Sequence, residues 1–263
     1  MPLIDFWSRH PHPGIHPEDK SVLETIGQIS WATSAAAKAH ETTLNAKNSE
    51  LQRKLHTNLY PQPFVGNIRR ASVYILFGNP GLSVQDYVDE LDTPAYAAQC
   101  SANLSGNVEG FGPLLAAAQG TGAYKYWNST FKRLIKETAE KIGLSHDGAR
   151  TWVLSQVAII EAWAYHSMKF PVEGFAKLPS TRRALHFVRN HVMNRVENQE
   201  CVVLVWRQAK LWALPGHPGI KERDRSKANG RYLLKEERKF LVEKLANVHR
   251  QQKSAGTQQL PPI

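Results

Sequence analysis

Cysteine is nearly absent from this sequence, with only Cys100 and Cys201 in 263 residues. A disulfide framework, an iron–sulfur cluster and a Cys-rich zinc site all need more thiols than that. No run approaches the roughly 18 apolar residues that cross a bilayer, so no membrane span is expected. The opening MPLIDFWSRHPHPG lacks the basic-then-apolar layout of a secretory signal, and a cytoplasmic location is the expectation. Neither a Walker lysine pattern nor GxGxxG is present, which argues against nucleotide hydrolysis. Acidic residues are also in deficit: 23 Asp and Glu against 33 Lys and Arg leave a formal charge of +10. That excess favours a polyanionic partner, nucleic acid first, with ordinary solubility charge as the bland alternative.

Hydrophobic residues make up 42% of the chain, enough for a sizeable core. The segment 1–20 is rich in Pro and His and reads as an irregular arm, followed by a helix over about 21–57. Prolines and a glycine break the pattern in LYPQPFVGN (59–67), and ASVYILF (71–77) then reads as a buried strand. A helix is predicted from Ser83, loops over 100–123, and a helix over 124–143. Further strands are predicted at 156–161, 201–206 and 210–214, with a basic helix over 180–197 and a closing helix over 231–250. Short apolar strands separated by helices indicate a parallel sheet covered on both faces. The predicted fold is α/β, a three-layer α/β/α sandwich around a central four-stranded parallel sheet. The predicted organisation is an extension (1–57), a main domain (58–250) and a disordered polar tail (251–263).

Ligands of such sheets bind beyond the carboxyl ends of the strands. Three notable segments are predicted to sit there: Gly78-Asn79-Pro80-Gly81 after the first strand, Glu161 to Ser167 after the second, and His217-Pro218-Gly219 after the fourth. Taken alone, Asn-Pro-Gly is a common turn.

In context, YPQPFVGN…ASVYILFGNPGLS resembles the uracil-DNA glycosylase superfamily, closest to its mismatch-specific, thymine/uracil branch, across about 58–245. That branch carries Asn-Pro-Gly-Leu-Ser directly after its first core strand. The superfamily's second signature follows the last core strand, where LWALPGHPGIK (211–221) stands here. Gly78 occupies a place usually held by a bulkier residue, and Gly219 one usually held by serine. RSKANG (225–230) is an alternative second motif, because some relatives begin that loop with Arg-Ser. The resemblance implies an enzyme that flips a base out of DNA and hydrolyses its N-glycosidic bond, with no cofactor and no metal. No lysine stands out as a Schiff-base nucleophile, so a monofunctional glycosylase is expected. The competing reading is a catalytically silent DNA-binding module on the same fold.

Cleaving this bond builds oxocarbenium character on the sugar and negative charge on the departing base. The enzyme therefore needs a positioned water, donors for the base and a pocket for the extruded nucleotide. The resemblance assigns the water to Asn79. Pro80 stiffens that turn, while Gly78 and Gly81 let the backbone approach the base. His217 is expected to donate to the leaving base, or else to cap its own turn. Asp86 is a second candidate for activating water, or else an acid in a first helical turn. Glu161 stands where the superfamily often has a base-reading asparagine. An ionised carboxylate there suits an exocyclic amine better than a carbonyl, which favours a cytosine-type or modified base over uracil. The superfamily includes members that strip bulky modified cytosines from viral DNA, so a defence role is possible beside repair. Tyr126 and Tyr165 are expected at the pocket wall or in the core. Ser83, Ser167, Arg223, Arg225 and Lys227 are expected to contact phosphates. Arg182, Arg183, Arg189 and Arg195 are expected to lie partly on a solvated helix face.

Overall fold

The computed structural model describes residues 2–24, 28–47, 49–108, 110–169, 175–224, 226 and 232–257. Five short strands form the main sheet: β1 Phe64–Val65, β2 Val73–Phe77, β3 Val157–Glu161, β4 Val202–Val205 and β5 Ile220–Glu222. Their spatial order is β1-β3-β2-β4-β5. β2 to β5 are mutually parallel, and β1 runs antiparallel to β3 at the edge. The predicted four-stranded, all-parallel sheet is thus corrected to five strands of mixed direction. β1 escaped prediction because two residues beside prolines and a glycine carry no periodic signal.

Val, Ile and Leu dominate β2, β3 and β4, and every residue of the three is buried. Alternation along a strand divides them between two apolar clusters. Tyr74, Leu76, Ala158, Ile160, Val203 and Val205 face one, and Val73, Ile75, Phe77, Val157, Ile159, Val202, Leu204 and Trp206 face the other. Each fully buried Val, Leu or Ile contributes about 1.5–3 kcal/mol, so these strands nucleate the core. Helices cover both clusters. α1 Pro2–Ser8 packs on the first face through Leu3, Phe6 and Trp7, all fully buried. α2 Val84–Asp92 follows the Asn-Pro-Gly turn, and α3 Pro94–Leu104 follows it directly. α4 Gly122–Ile142, α5 His146–Gln156 and, at the end of the chain, Lys235–Thr257 carry residues of the second cluster. α6 Pro179–His186 passes through a wider turn at Phe187–Val192 into Met193–Glu197 on the first face. The closing helix is α7. Caps explain several boundaries: Thr121 Oγ1 accepts from Tyr124 N, Ser145 Oγ accepts from Gly148 N, and Gly143 ends α4 at φ +71°.

Three expectations are corrected. The helix expected over 21–57 is a set of short turns, Lys20–Leu23, Ser34–Ala39, Glu41–Asn45 and Glu50–Arg53, with a small ribbon pairing Gln28–Ile29 to Leu55–His56. Thr33 and Ser49 cap these turns with their side chains and so cut the helix. The strand expected at 210–214 is instead a helical turn, Ala209–Trp212, whose last carbonyls receive the Arg189 guanidinium. A five-residue apolar run reads either way, and the fourth parallel strand lies ten residues later. The end of the chain also differs, because α7 runs to Thr257, past the expected start of the tail.

The described residues near the amino end are anchored to the main sheet's core. Tyr165 Oη donates to Asp19 Oδ2 at 2.7 Å and accepts from His16 N at 3.1 Å, tying them into the core. Gly66, at φ +87°, closes the edge of the sheet. A Cβ there would sit 2.5 Å from the Val157 carbonyl oxygen.

Candidate active site

Three adjacent parallel strands end at one cavity of about 430 Å³. β2 delivers Phe77, Asn79, Pro80 and Gly81; β3 delivers Glu161 and, further on, His166; β4 delivers Arg207. The start of α2 contributes Ser83 and Asp86, and that of α4 contributes Gly122, Tyr126 and Trp127. This is the carboxyl-end crevice expected of the fold. The volume is within the roughly 300–1,000 Å³ typical of small-molecule sites.

The Asn79 turn is held from behind. After β3 the chain stays zipped to β2, with Ala162 N on Phe77 O and Trp163 N on Gly78 O. That brings Ser167 under Asn79, whose Nδ2 donates to the Ser167 carbonyl at 2.8 Å and to Ser167 Oγ at 3.0 Å. Both amide protons are therefore spent on the protein, and among the described residues Oδ1 accepts nothing. The carboxamide oxygen is a fixed acceptor at a cavity wall, suited to orienting a water. Gly81 takes φ +77°, and no atom within 4 Å would meet a Cβ there, so its conformation is what requires glycine. Its carbonyl lies 2.9 Å from His166 Nδ1, and Tyr60 O lies 3.2 Å from Nε2. His166 also stands 3.7 Å from Glu90, whose Oε2 accepts from Tyr60 N. Burial pushes His166 down and Glu90 up, toward a neutral pair beneath the turn.

The two carboxyls that line the cavity live in opposite surroundings. Asp86 Oδ2 accepts from Ser83 N at 2.6 Å and Ser83 Oγ at 3.0 Å, and so caps α2 while half exposed. Glu161 pairs in register with Phe77 and, by strand alternation, points to the same face as Val157 and Ile159. It is only 5% exposed, and its buried Oε2 has no hydrogen-bond partner. Burial drives Glu161 well above the usual carboxylate range, with the Arg207 charge pulling the other way. Burial thus favours the neutral form, in which the carboxyl offers a donor beside an acceptor.

Arg207 was not foreseen, although its place directly after a strand at the carboxyl end was a legible signal. It is exposed, and its N–H shares the Leu76 carbonyl with that of Trp206. The next residue, Gln208, takes a left-handed φ of 60°. That doubled contact and sharp turn end the strand and re-aim Arg207 toward the cavity. Phe77, Trp127 and Tyr126 form its aromatic wall, with Tyr126 set edge-on to Trp127 at 5.0 Å.

Several predicted site residues lie elsewhere. His217-Pro218-Gly219 precedes β5, and Gly219 O accepts from Val203 N at the start of β4. That places His217 at the amino ends of the strands, a strand's length of roughly 15 Å from the cavity. There its Nδ1 accepts from Gly219 N and caps its own turn. Tyr165 is buried in the first-face cluster, away from the cavity. Gly78 is buried and does not line the cavity. Ser167 is fully buried and serves Asn79 instead of a phosphate. Arg223 is buried too, bidentate on Glu237 at 2.8 and 2.6 Å and stacked 3.6 Å over the Trp206 ring. Arg225 and Lys227 lie outside the described residues; Ser226 Oγ, between them, donates to Asp224. Of the basic helix, Arg183 pairs with Glu18, Arg189 holds Leu211 and Trp212, and Arg195 binds Tyr74, Ala71 and Glu200.

Among the described residues, no group of three or more His, Cys, Asp or Glu is placed to hold a metal ion, and no helix is long and apolar enough to cross a membrane. Comparison with family models, with curated proteins and with solved structures found no match to this chain.

Proposed function

We propose that this chain is a monofunctional DNA glycosylase of the uracil-DNA glycosylase type. A target base flips out of DNA into the cavity, and its N-glycosidic bond is hydrolysed to leave an abasic site. The observation that carries this reading is Asn79, a cavity-lining residue whose amide nitrogen is locked to Ser167 while its Oδ1 accepts no hydrogen bond among the described residues. An amide is too weak a base to deprotonate water, but an oxocarbenium ion needs only an oriented water, not a hydroxide. Tyr126, Trp127 and Phe77 offer rings beside an extruded base. Glu161 faces the base edge. As a neutral carboxyl it pairs with the ring nitrogen and exocyclic amine of a cytosine-type base, and the cavity has room for a substituent on that base. The net charge of +10 supports a DNA partner. The fold proposed with this activity is the superfamily's α/β/α sandwich, here with an added antiparallel edge strand. The proposed setting is the cytoplasm, in repair or in defence against modified viral DNA.

The test uses duplexes carrying uracil, a thymine mismatch, cytosine or a modified cytosine, incubated with protein and cleaved with alkali. Strand breaks on one of them, reduced by at least about a hundredfold in Asn79→Ala, are the expected outcome. Salt-sensitive binding without breaks on any base would make the chain a silent DNA-binding module instead. No binding at all would remove both.

A further inference from the structure

We infer that Glu161 is the general acid of the reaction, passing its carboxyl proton to ring nitrogen N3 of the flipped base as the C1′–N1 bond breaks. This rests on the glycosylase reading above and adds a catalytic step to it. Two carboxyls line this one cavity in opposite surroundings. Asp86 is half exposed and accepts two hydrogen bonds from Ser83. Glu161 is buried, lacks any partner on Oε2, and ends the strand next to the one that presents Asn79. Oε2 itself is closed off, and the carboxyl meets the cavity only through the small part of Glu161 that remains exposed, which is where a substrate would find it.

The chemistry of the leaving base gives this proton a purpose. Uracil departs as an anion spread over two carbonyls and needs little help. A cytosine-type anion has one carbonyl and leaves poorly, but with a proton on N3 the base departs neutral. In the balanced step the C1′–N1 electron pair stays on N1, and the Glu161 proton moves to N3. The water held by Asn79 bonds to C1′ and releases its proton to Asp86 or to solvent. Glu161 is reprotonated from solvent once the base has left. The carboxylate formed meanwhile is not isolated: Arg207 faces it from the end of β4, and the amino end of α4 also lines the cavity. The other ionisable groups at the cavity are Asp86 from α2, Tyr126 from α4 and His166 with Glu90 behind it. A neutral base paired to Glu161 through either edge binds in the ground state, but only one protonated on N3 gains in the transition state. The preference for cytosine-type bases therefore resides in kcat, not in binding.

The deciding measurement is single-turnover cleavage on duplexes that differ only in the target base, a cytosine-type base against 5-fluorouracil, across pH. In the native protein the cytosine-type rate falls as pH rises through the Glu161 titration, and the 5-fluorouracil rate does not. Glu161→Gln keeps the shape and is expected to lose at least about a hundredfold on the cytosine-type base and less than about tenfold on 5-fluorouracil. Glu161→Ala with added formate is expected to regain part of the cytosine-type rate, a rescue that a structural role does not give. Equal losses on both bases, an unchanged alkaline limb or no formate rescue would overturn the inference while leaving a glycosylase. So would a native protein that cleaves uracil but no cytosine-type base. Absence of cleavage on every base overturns the glycosylase reading itself.

Discussion

Replacing Arg223 by alanine separates a structural arginine from a DNA contact. In the fold its Nε and Nη2 each donate to Glu237, Nη2 also reaches the Tyr232 carbonyl at 3.0 Å, and the guanidinium lies flat on Trp206. Neither partner of the pair is more than 2% exposed at its side chain, so water cannot replace what is lost. After the substitution Glu237 keeps the Leu234 N–H at 2.8 Å but faces the core without a countercharge. Removing one partner of such a buried pair costs about 3–5 kcal/mol, and the lost stacking falls within that spread. Taking about 4 kcal/mol and a urea slope of roughly 3 kcal/mol per molar, the unfolding midpoint falls by about 1.3 M. The assay is urea denaturation followed by tryptophan fluorescence and by circular dichroism, with DNA binding measured below the transition. The double variant Arg223→Met, Glu237→Leu should recover most of the loss, because no charge is then left stranded. An unchanged midpoint together with weaker DNA binding and a salt slope reduced by about one would refute this reasoning and restore Arg223 as a phosphate contact.

Ser167→Ala removes the 3.0 Å bond to Asn79 while the backbone carbonyl bond remains. One neutral hydrogen bond of about 1 kcal/mol predicts a melting temperature lower by only about 2–4 °C, and a loosened Asn79 predicts cleavage slower by roughly fivefold, checked by thermal melts and single-turnover rates. The pH dependence of stability has a definite sign. Burial first, then the neighbouring His166, lowers His56 from 6.5 to about 4, so the fold keeps it neutral where the unfolded chain binds a proton. Stability is then full above about pH 6.5 and falls toward pH 4 by roughly 3 kcal/mol at 1.36 kcal/mol per unit, with buried His166 acting in the same direction. Urea midpoints from pH 7 to 4 should show that fall, and His56→Gln should flatten it; parallel curves for the two proteins would rule it out.

Local pattern carried much of the architecture. The strands at 73–77, 157–161 and 202–205 were legible because runs of Val, Ile and Leu between Gly, Pro and Ser suit a sheet buried on both faces. The Asn-Pro-Gly turn was legible because proline and glycine restrict the chain within four residues. The fourth parallel strand was not, since the short β5 carries a weaker pattern than the apolar run at 210–214. That one misplacement put His217 at the wrong end of the sheet.

What the sequence by itself determined was therefore the covalent and nearest-neighbour part: the buried strands, the rigid turn at Asn79, the acid ending β3 and the positive charge of the surface. Tertiary structure decided how those groups are wired. Asn79 is locked by a serine 88 positions later, Arg223 is sealed between Trp206 and Glu237, and Arg207 reaches the cavity from the adjacent strand. The burial of Glu161, which favours its neutral form, was decided there as well. A carboxyl's charge depends on the water and dipoles around it, and only folding removes the first and places the second.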